Sequence, residues 1–446
     1  MGLQVSWRSG MVYVFSLCCL IFPLSQAWAS QMSSTRPIPV EIVKTDVGYQ
    51  LLRGGQPYQI RGAGMDTNEI ANLARIGGNS LRTWVVGSEE LNARQLLDEA
   101  AEYGVTVALC LDLEPERHGF DYDDEDAVAR QLEYARREVT KYKDHPALLF
   151  WIIGNELNHS YTNPRVFNAI NEISEMIHAV DENHPTTAAL SGFSGEMLAV
   201  IEERAPDLDF LSFQLYGALD SLPQQISDTA FDKPFMVTEW GATGHWEVRT
   251  TAWGAPVEMT SSEKAQRFLQ RYESVIAANS AQIIGSYVFL FGQKQERTPT
   301  WYGMLLEDGA ITESIDVMQY VWTGEWPENR APSVTGLVLD GKASDHDVTV
   351  KAGGEYEARV QAGDENKDAL TYRWVVMRES QATEEGGDPE VVPAIVEVPK
   401  RDTGNGSLHL VAPAEPGAYR LFVYVYDGDG RAGHANLPFL VDSAPR

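Results

Sequence analysis

Between about residues 58 and 291, eight short apolar runs alternate with stretches of helical period. The runs are Tyr58 to Met65, Ser80 to Val86, Thr106 to Leu113, Leu148 to Leu157, Thr186 to Leu190, Phe210 to Gly217, Phe235 to Gly241 and Ile283 to Phe291. They are rich in Val, Ile, Leu and Phe and show little in/out alternation, as strands covered on both faces should. Between them, Val128, Leu132, Ala135, Val139 and Tyr142 recur at helical steps, as do Ile170, Ile173, Ile177 and Val180, and Ala265, Phe268, Leu269, Tyr272 and Ile276. Eight such strand-helix units predict an α/β fold, a (β/α)8 barrel, over residues 38–327. An open doubly wound sheet is the rival, but Gly62-Ala63-Gly64 lacks the third glycine of a dinucleotide loop.

The pattern stops at Trp326-Pro327-Glu328-Asn329-Arg330-Ala331-Pro332, a proline-bounded polar stretch that reads as a linker. Beyond it, Glu355 to Val360, Leu370 to Met377, Ser407 to Val411 and Tyr419 to Tyr426 alternate and are separated by Gly, Asp and Pro clusters. About seven short strands are expected there, forming a small antiparallel β-sandwich over residues 331–446. At the other end, Arg8 precedes the apolar run Met11 to Leu24, and Ala27-Trp28-Ala29 offers a cleavage site, so residues 1–29 read as a signal peptide. The run is too short to span a bilayer and no transmembrane span is expected. The protein is therefore expected to be exported, to the periplasm or the medium. Cys18 and Cys19 lie in this leader, which leaves Cys110 without an internal disulfide partner.

Acidic residues number 64 against 35 basic ones, a formal charge of -29. So negative a surface repels phosphate backbones and anionic headgroups, which argues against nucleic-acid binding and favours a neutral partner. Histidine and cysteine spacing supports no metal site, and no cofactor is expected. The glycines around Ser194 do not make a nucleophile elbow. Asp121 to Asp126 reads as a solvated helix N-terminus, and the aspartates at 364–368 and 427–429 as turn formers.

Two carboxylates stand out: Glu156, ending Trp151-Ile152-Ile153-Gly154-Asn155-Glu156, and Glu239, in Phe235-Met236-Val237-Thr238-Glu239-Trp240. A charged group at the end of a buried barrel strand has no stabilising role in the core, whereas the carboxyl ends of such strands are where reacting groups sit. A single Glu there reads equally well as a helix cap; a pair on strands four and seven is the arrangement needed to break a glycosidic bond with retention, one group as acid and then base, the other attacking the anomeric carbon.

Gly154-Asn155-Glu156 and Thr238-Glu239-Trp240 resemble the acid/base and nucleophile signatures of clan A, the 4/7 superfamily of retaining glycoside hydrolases. The resemblance implies that Glu156 is the acid/base, Glu239 the nucleophile and Asn155 the donor to the sugar 2-hydroxyl. It also implies that Arg82 favours the ionised nucleophile and that Tyr216 hydrogen-bonds it. Within the clan, a retaining barrel joined to an immunoglobulin-like tail with this spacing of the carboxylates is similar to the family 158 endo-β-1,3-glucanases, and the family 2 catalytic barrel is the other close likeness. The tail resembles the immunoglobulin-like and PKD-like modules of secreted polysaccharide-degrading enzymes. Where many relatives carry Trp at the end of strand eight, this chain has Phe289, Leu290 and Phe291, and Gln214 stands where many have Asn.

Pyranose faces stack on flat rings, so Trp240, Trp246 and Trp301 are expected to bind sugar, Trp301 replacing the absent strand-eight Trp. His159 and His245 follow the glutamates closely in sequence and read equally well as substrate contacts or as surface histidines. Trp84 and Trp151, inside strands, read as core. The expected activity is hydrolysis of a β-linked neutral poly- or oligosaccharide, with β-glucan preferred. A transglycosylase on the same glutamates, or a carbohydrate-binding envelope protein that has lost catalysis, are the alternatives.

Overall fold

The computed structural model describes residues 36–65, 69–87, 92–384 and 386–443, besides Gly2. The expected leader run and its cleavage point lie outside the described residues. Eight parallel strands close into a barrel: β1 (Gly62–Gly64), β2 (Ser80–Arg82), β3 (Thr106–Leu111), β4 (Leu148–Asn155), β5 (Thr186–Ser191), β6 (Leu211–Gln214), β7 (Phe235–Gly241) and β8 (Ile283–Phe289), each beside its sequence neighbours and β8 beside β1. All eight apolar runs thus form strands, several shorter than the apolar stretch that marks them.

The near-continuous hydrophobicity has a packing cause. In β3, Val107, Leu109 and Leu111 join the layer between barrel and helices, while Ala108 and Cys110 join the barrel interior. Both faces are dry, so both are apolar. The outer helices follow the expected periods; Glu125–Tyr142 begins at Asp124, whose carboxylate accepts the Asp126 and Ala127 N–H groups at 3.0 Å each, and Ser194 caps Gly195–Arg204 in the same way. Such caps satisfy donors a helix leaves unpaired.

A three-stranded antiparallel sheet, Val40–Thr45, Gly48–Arg53 and Gln56–Pro57, precedes β1 and has no counterpart among the expected elements. It lies across the N-terminal ends of the barrel strands. Val40 N–H donates to Asn183 O at 2.8 Å, Tyr49 N–H to Ala281 O at 2.7 Å, and the Arg53 guanidinium to Pro146 O at 2.7 Å. Its Val40 and Leu51 pack with Phe150, Phe210 and Tyr287 of the barrel interior. Gly48, at φ +136°, approaches so closely that a Cβ would stand 2.1 Å from Ala281 O, which only glycine permits.

The C-terminal region is a sandwich of two four-stranded sheets. One runs in the order 333–339, 355–363, 407–411, 400–402 and is antiparallel; the other runs 349–351, 432–442, 417–426, 371–378. Thr349–Lys351 pairs parallel with Ala432–Asp442, so the module is mixed rather than wholly antiparallel and has eight strands. The stretch expected to be a linker is pinned: the Arg330 guanidinium lies 3.8 Å over the Trp326 ring, Trp326 stacks on Tyr320 at 4.3 Å, and Ala331 N–H donates to Asp316 at 2.7 Å. A buried polar network joins the two regions. Lys264 pairs with Glu258, Asn436 of the sandwich donates to the same carboxylate at 2.5 Å, and Arg420 binds Glu379 at 2.7 Å and Pro256 O at 2.8 Å.

Candidate active site

Two irregularities in the barrel decide which side chains reach its mouth. In β4, Phe150 and Ile152 face the interior and Trp151 and Ile153 the helices, so strict alternation would send Asn155 outward. The register shifts between Ile152 and Asn155, reversing the phase and turning Asn155 inward. Gly154 makes the shift possible: its φ is +74°, and a Cβ there would lie 2.5 Å from Leu157. In β7 the register shifts between Val237 and Glu239, so Glu239 turns inward and Trp240 outward onto Phe268 and Tyr272, at ring separations of 5.7 and 6.2 Å.

Both glutamates line one cavity of about 1380 Å³ at the C-terminal mouth of the barrel, together with Asn155, Tyr216, Trp84, Phe289 and Trp246. This exceeds the roughly 300–1,000 Å³ typical of small-molecule sites and leaves room for more than one sugar ring. The Glu239 carboxylate is buried and fully engaged. Its Oε1 accepts from Arg82 Nη1 at 2.9 Å, Trp84 Nε1 at 2.6 Å and Gln214 Nε2 at 3.0 Å, and its Oε2 from the Tyr216 hydroxyl at 2.9 Å. Burial, then the charge of Glu239, hold the Tyr216 hydroxyl well above the usual phenol range, so it stays a donor.

Glu156 is placed differently. Its backbone is left-handed, φ +50°, an arrangement that costs about 1–3 kcal/mol and persists where surroundings enforce it. Here its N–H donates to Ala189 O at 2.8 Å and its carbonyl accepts from Arg117 Nη1 at 3.2 Å. Burial and then repulsion from Glu239 push its carboxyl up to about 7, against the pull of Arg117. The two glutamates therefore sit in contrasting surroundings, one gripped by four donors and one biased toward its neutral acid, the usual mark of divided acid and nucleophile roles.

Arg82 and Gln214 also hold Asn155. Its Oδ1 accepts from Arg82 Nη2 and Gln214 Nε2, both at 2.8 Å, and its amide nitrogen makes no hydrogen bond among the described residues. That nitrogen is available to a ligand hydroxyl.

Of the residues expected to bind sugar, Arg82, Asn155 and Tyr216 meet at Glu239, and Trp246 stands at the cavity rim, 60% exposed. Arg82 itself is wholly buried beneath the cavity, so it positions the carboxylate rather than touching substrate. Trp240 and Trp301 are outside the cavity. The bulge turns Trp240 into the helix layer, and Trp301 is buried under the loop after β7, donating to Thr243 O at 2.9 Å. Phe289 fills the end of β8 instead, within 5.6–5.8 Å of Trp84, Tyr216 and Tyr302. Trp84, read as core, is a cavity residue and a donor to Glu239; the Arg82-Thr83-Trp84 spacing that carries Arg82 to one side of this carboxylate was the available signal. Trp151 is core, bonded to Asp181 at 2.8 Å. His159 and His245 both line the cavity, His245 lying 3.6 Å from Glu296.

Residues 95–315 match the family described as "Glycosyl hydrolases family 2, TIM barrel domain". Of the two families that the barrel resembles, the match is to family 2. A Bifidobacterium dentium β-glucuronidase structure complexed with coumarin-3-O-glucuronide superposes with TM-score 0.52 at 17% identity, over 64% of this chain and 49% of that one. A Bacteroides uniformis β-glucuronidase gives 0.47 at 14%, over 91% and 48%, and a putative β-galactosidase from Bacteroides fragilis 0.46 at 14%, over 92% and 58%. At 17% identity the likeness to the Bifidobacterium dentium structure is one of fold. The chain spans about half the length of the first of these structures. No curated protein sequence matches it.

Proposed function

We propose that this chain, whose residues 95–315 match the glycosyl hydrolase family 2 barrel domain, is a retaining O-glycosyl hydrolase that acts by double displacement. Glu156 donates its proton to the glycosidic oxygen as Glu239 attacks the anomeric carbon; Glu156 then takes a proton from water, which releases the sugar from Glu239 with its original configuration. The observation that carries this is the pairing in one cavity of a carboxylate held by four donors with a carboxyl pushed up to about 7.

The preferred substrate is a β-linked neutral polysaccharide, with β-glucan first. Three basic side chains that line the cavity already have acidic partners: Lys294 lies 2.9 Å from Glu296, Arg117 3.7 Å from Asp388 and Arg297 3.7 Å from Glu390. To pair with any of these three a uronic acid would have to displace its partner, whereas a neutral sugar need not. The expected leader makes it an exported enzyme. Transfer to another sugar uses the same two steps with a hydroxyl in place of water.

The test is hydrolysis of a β-glycan panel with NMR of the newly formed anomeric centre. Glu156→Gln and Glu239→Gln should abolish turnover with the circular dichroism spectrum intact, and the wild type should release β product first. Unchanged turnover in either variant, or an initial α product, defeats the reading. Longer products at high oligosaccharide concentration would assign transfer instead.

A further inference from the structure

The C-terminal sandwich reaches into the catalytic cavity. Its strands Thr371–Arg378 and Lys400–Asp402 are joined by a long connection whose base is fixed, Arg378 N–H donating to Ala394 O at 3.0 Å and buried Glu379 receiving Arg420. Its tip, Gly386 to Asp388, lines the cavity.

The tip is tied to two separated parts of the barrel rim. On one side Asp388 lies 2.9 Å from His118 Nε2 and 3.7 Å from Arg117 Nη2, both after β3; the same Arg117 holds the Glu156 carbonyl. On the other, Lys294 Nζ donates to Gly387 O at 2.7 Å, and Arg297 donates its N–H to Glu390 at 2.6 Å and its guanidinium to Ala382 O, both after β8. In the ring β8 adjoins β1 and β2 adjoins β3, so the two anchor points stand on either side of β1 and β2.

We propose that this connection is an end wall of the substrate site, making the cavity blind on that side, so that the protein accepts the end of a glycan chain and releases short products from it. An open groove would let a polymer pass through; a tip that lines the cavity and is tied to both rims stands in its path. This deepens the hydrolase reading and rests on it for the word product.

The experiment uses the full chain in which residues 381–392 are replaced by a short Gly-Ser link, keeping Glu379 and the 394–396 return, and a milder Asp388→Ala/Lys294→Ala variant that only loosens the tip. End-labelled laminari- and cello-oligosaccharides are digested, and binding of the same ladders to Glu239→Gln forms is followed by calorimetry. Expected are release from one chain end by the wild type, at least about tenfold more internal cleavage by the shortened variant with the milder one between, and an affinity that stops rising at short chain length in the wild type and at longer length without the wall. Internal cleavage by the wild type, or an unchanged product pattern in both variants, overturns the proposal. Should no protein cleave any glycan or aryl β-glycoside, the hydrolase reading fails by itself, and the wall stands or falls on whether the binding plateau moves.

Discussion

One guanidinium joins β4 to β7: Arg82 Nη1 lies 2.9 Å from Glu239 Oε1 on β7, and its Nη2 lies 2.8 Å from Asn155 Oδ1 on β4. Arg82 is wholly buried, so it neutralises the carboxylate where water cannot. A lysine carries the charge but not the fork. Arg82→Lys should lower kcat by about a hundredfold or more with a smaller change in KM, and Arg82→Ala, leaving Glu239 buried without its counterion, should also cost about 3–5 kcal/mol in denaturant unfolding. Wild-type kcat in Arg82→Lys would refute the assignment.

The Glu156 carboxyl, raised to about 7 chiefly by burial and then by Glu239, sets a pH limit. On the proposed mechanism it holds, below that value, the proton to be donated; as pH rises through it, the acid is lost. The kcat/KM profile should therefore fall on its basic side with an apparent pKa near 7. Because Glu239 contributes to the rise, Glu239→Gln should move the Glu156 midpoint downward, read by carboxyl carbon NMR. A midpoint that stays fixed would show the two groups to be uncoupled.

Trp84 and Trp240 make a matched pair of tests. Trp84→Phe keeps a ring but removes the N–H at 2.6 Å from Glu239 and should lower kcat about ten- to a hundredfold. Trp240→Phe, in the helix layer, should alter thermal stability by about 1–2 kcal/mol and leave KM near wild type. The reverse pattern would mean that the β7 bulge has been misread.

At the junction of barrel and sandwich, burial alone would raise the Glu258 carboxyl, but Lys264, His434 and hydrogen bonds from Lys264 and Thr298 outweigh it and hold it down to about 2. A lowered carboxylate contributes stability above its unfolded value, which is lost as pH falls from about 4.5 towards 2. Lys264→Met should strand this carboxylate and cost about 3–5 kcal/mol, while Lys264→Met with Glu258→Leu should recover most of it. Equal stability of the single and double variants would remove the pair from the account.

The barrel was legible because eight dry strands leave an unmistakable run pattern, and the two glutamates because a charge at such a strand's end has few structural uses. Their direction was not. Glu239 and Trp240 are adjacent, and only a one-residue register shift against β6 and β8 decides which enters the cavity; nothing local to the chain records a bulge defined by its neighbours. Trp301 was misplaced because loop aromatics look alike in sequence whether they support a loop or face its ligand. The N-terminal sheet was missed since its value lies in covering the barrel interior, and the arm of the sandwich because its partners, Arg117, Lys294 and Arg297, are 85 or more residues away in the chain.

The sheet of residues 40–57, fastened to the loops before β4, β5 and β8, stoppers the barrel floor. The cavity that holds both glutamates lies at the opposite, C-terminal end of the barrel, beyond the packed interior that this sheet covers. On the proposed two-step displacement, the half of the glycan that departs and the water that frees the other half share the same end of the barrel, the one that carries both glutamates.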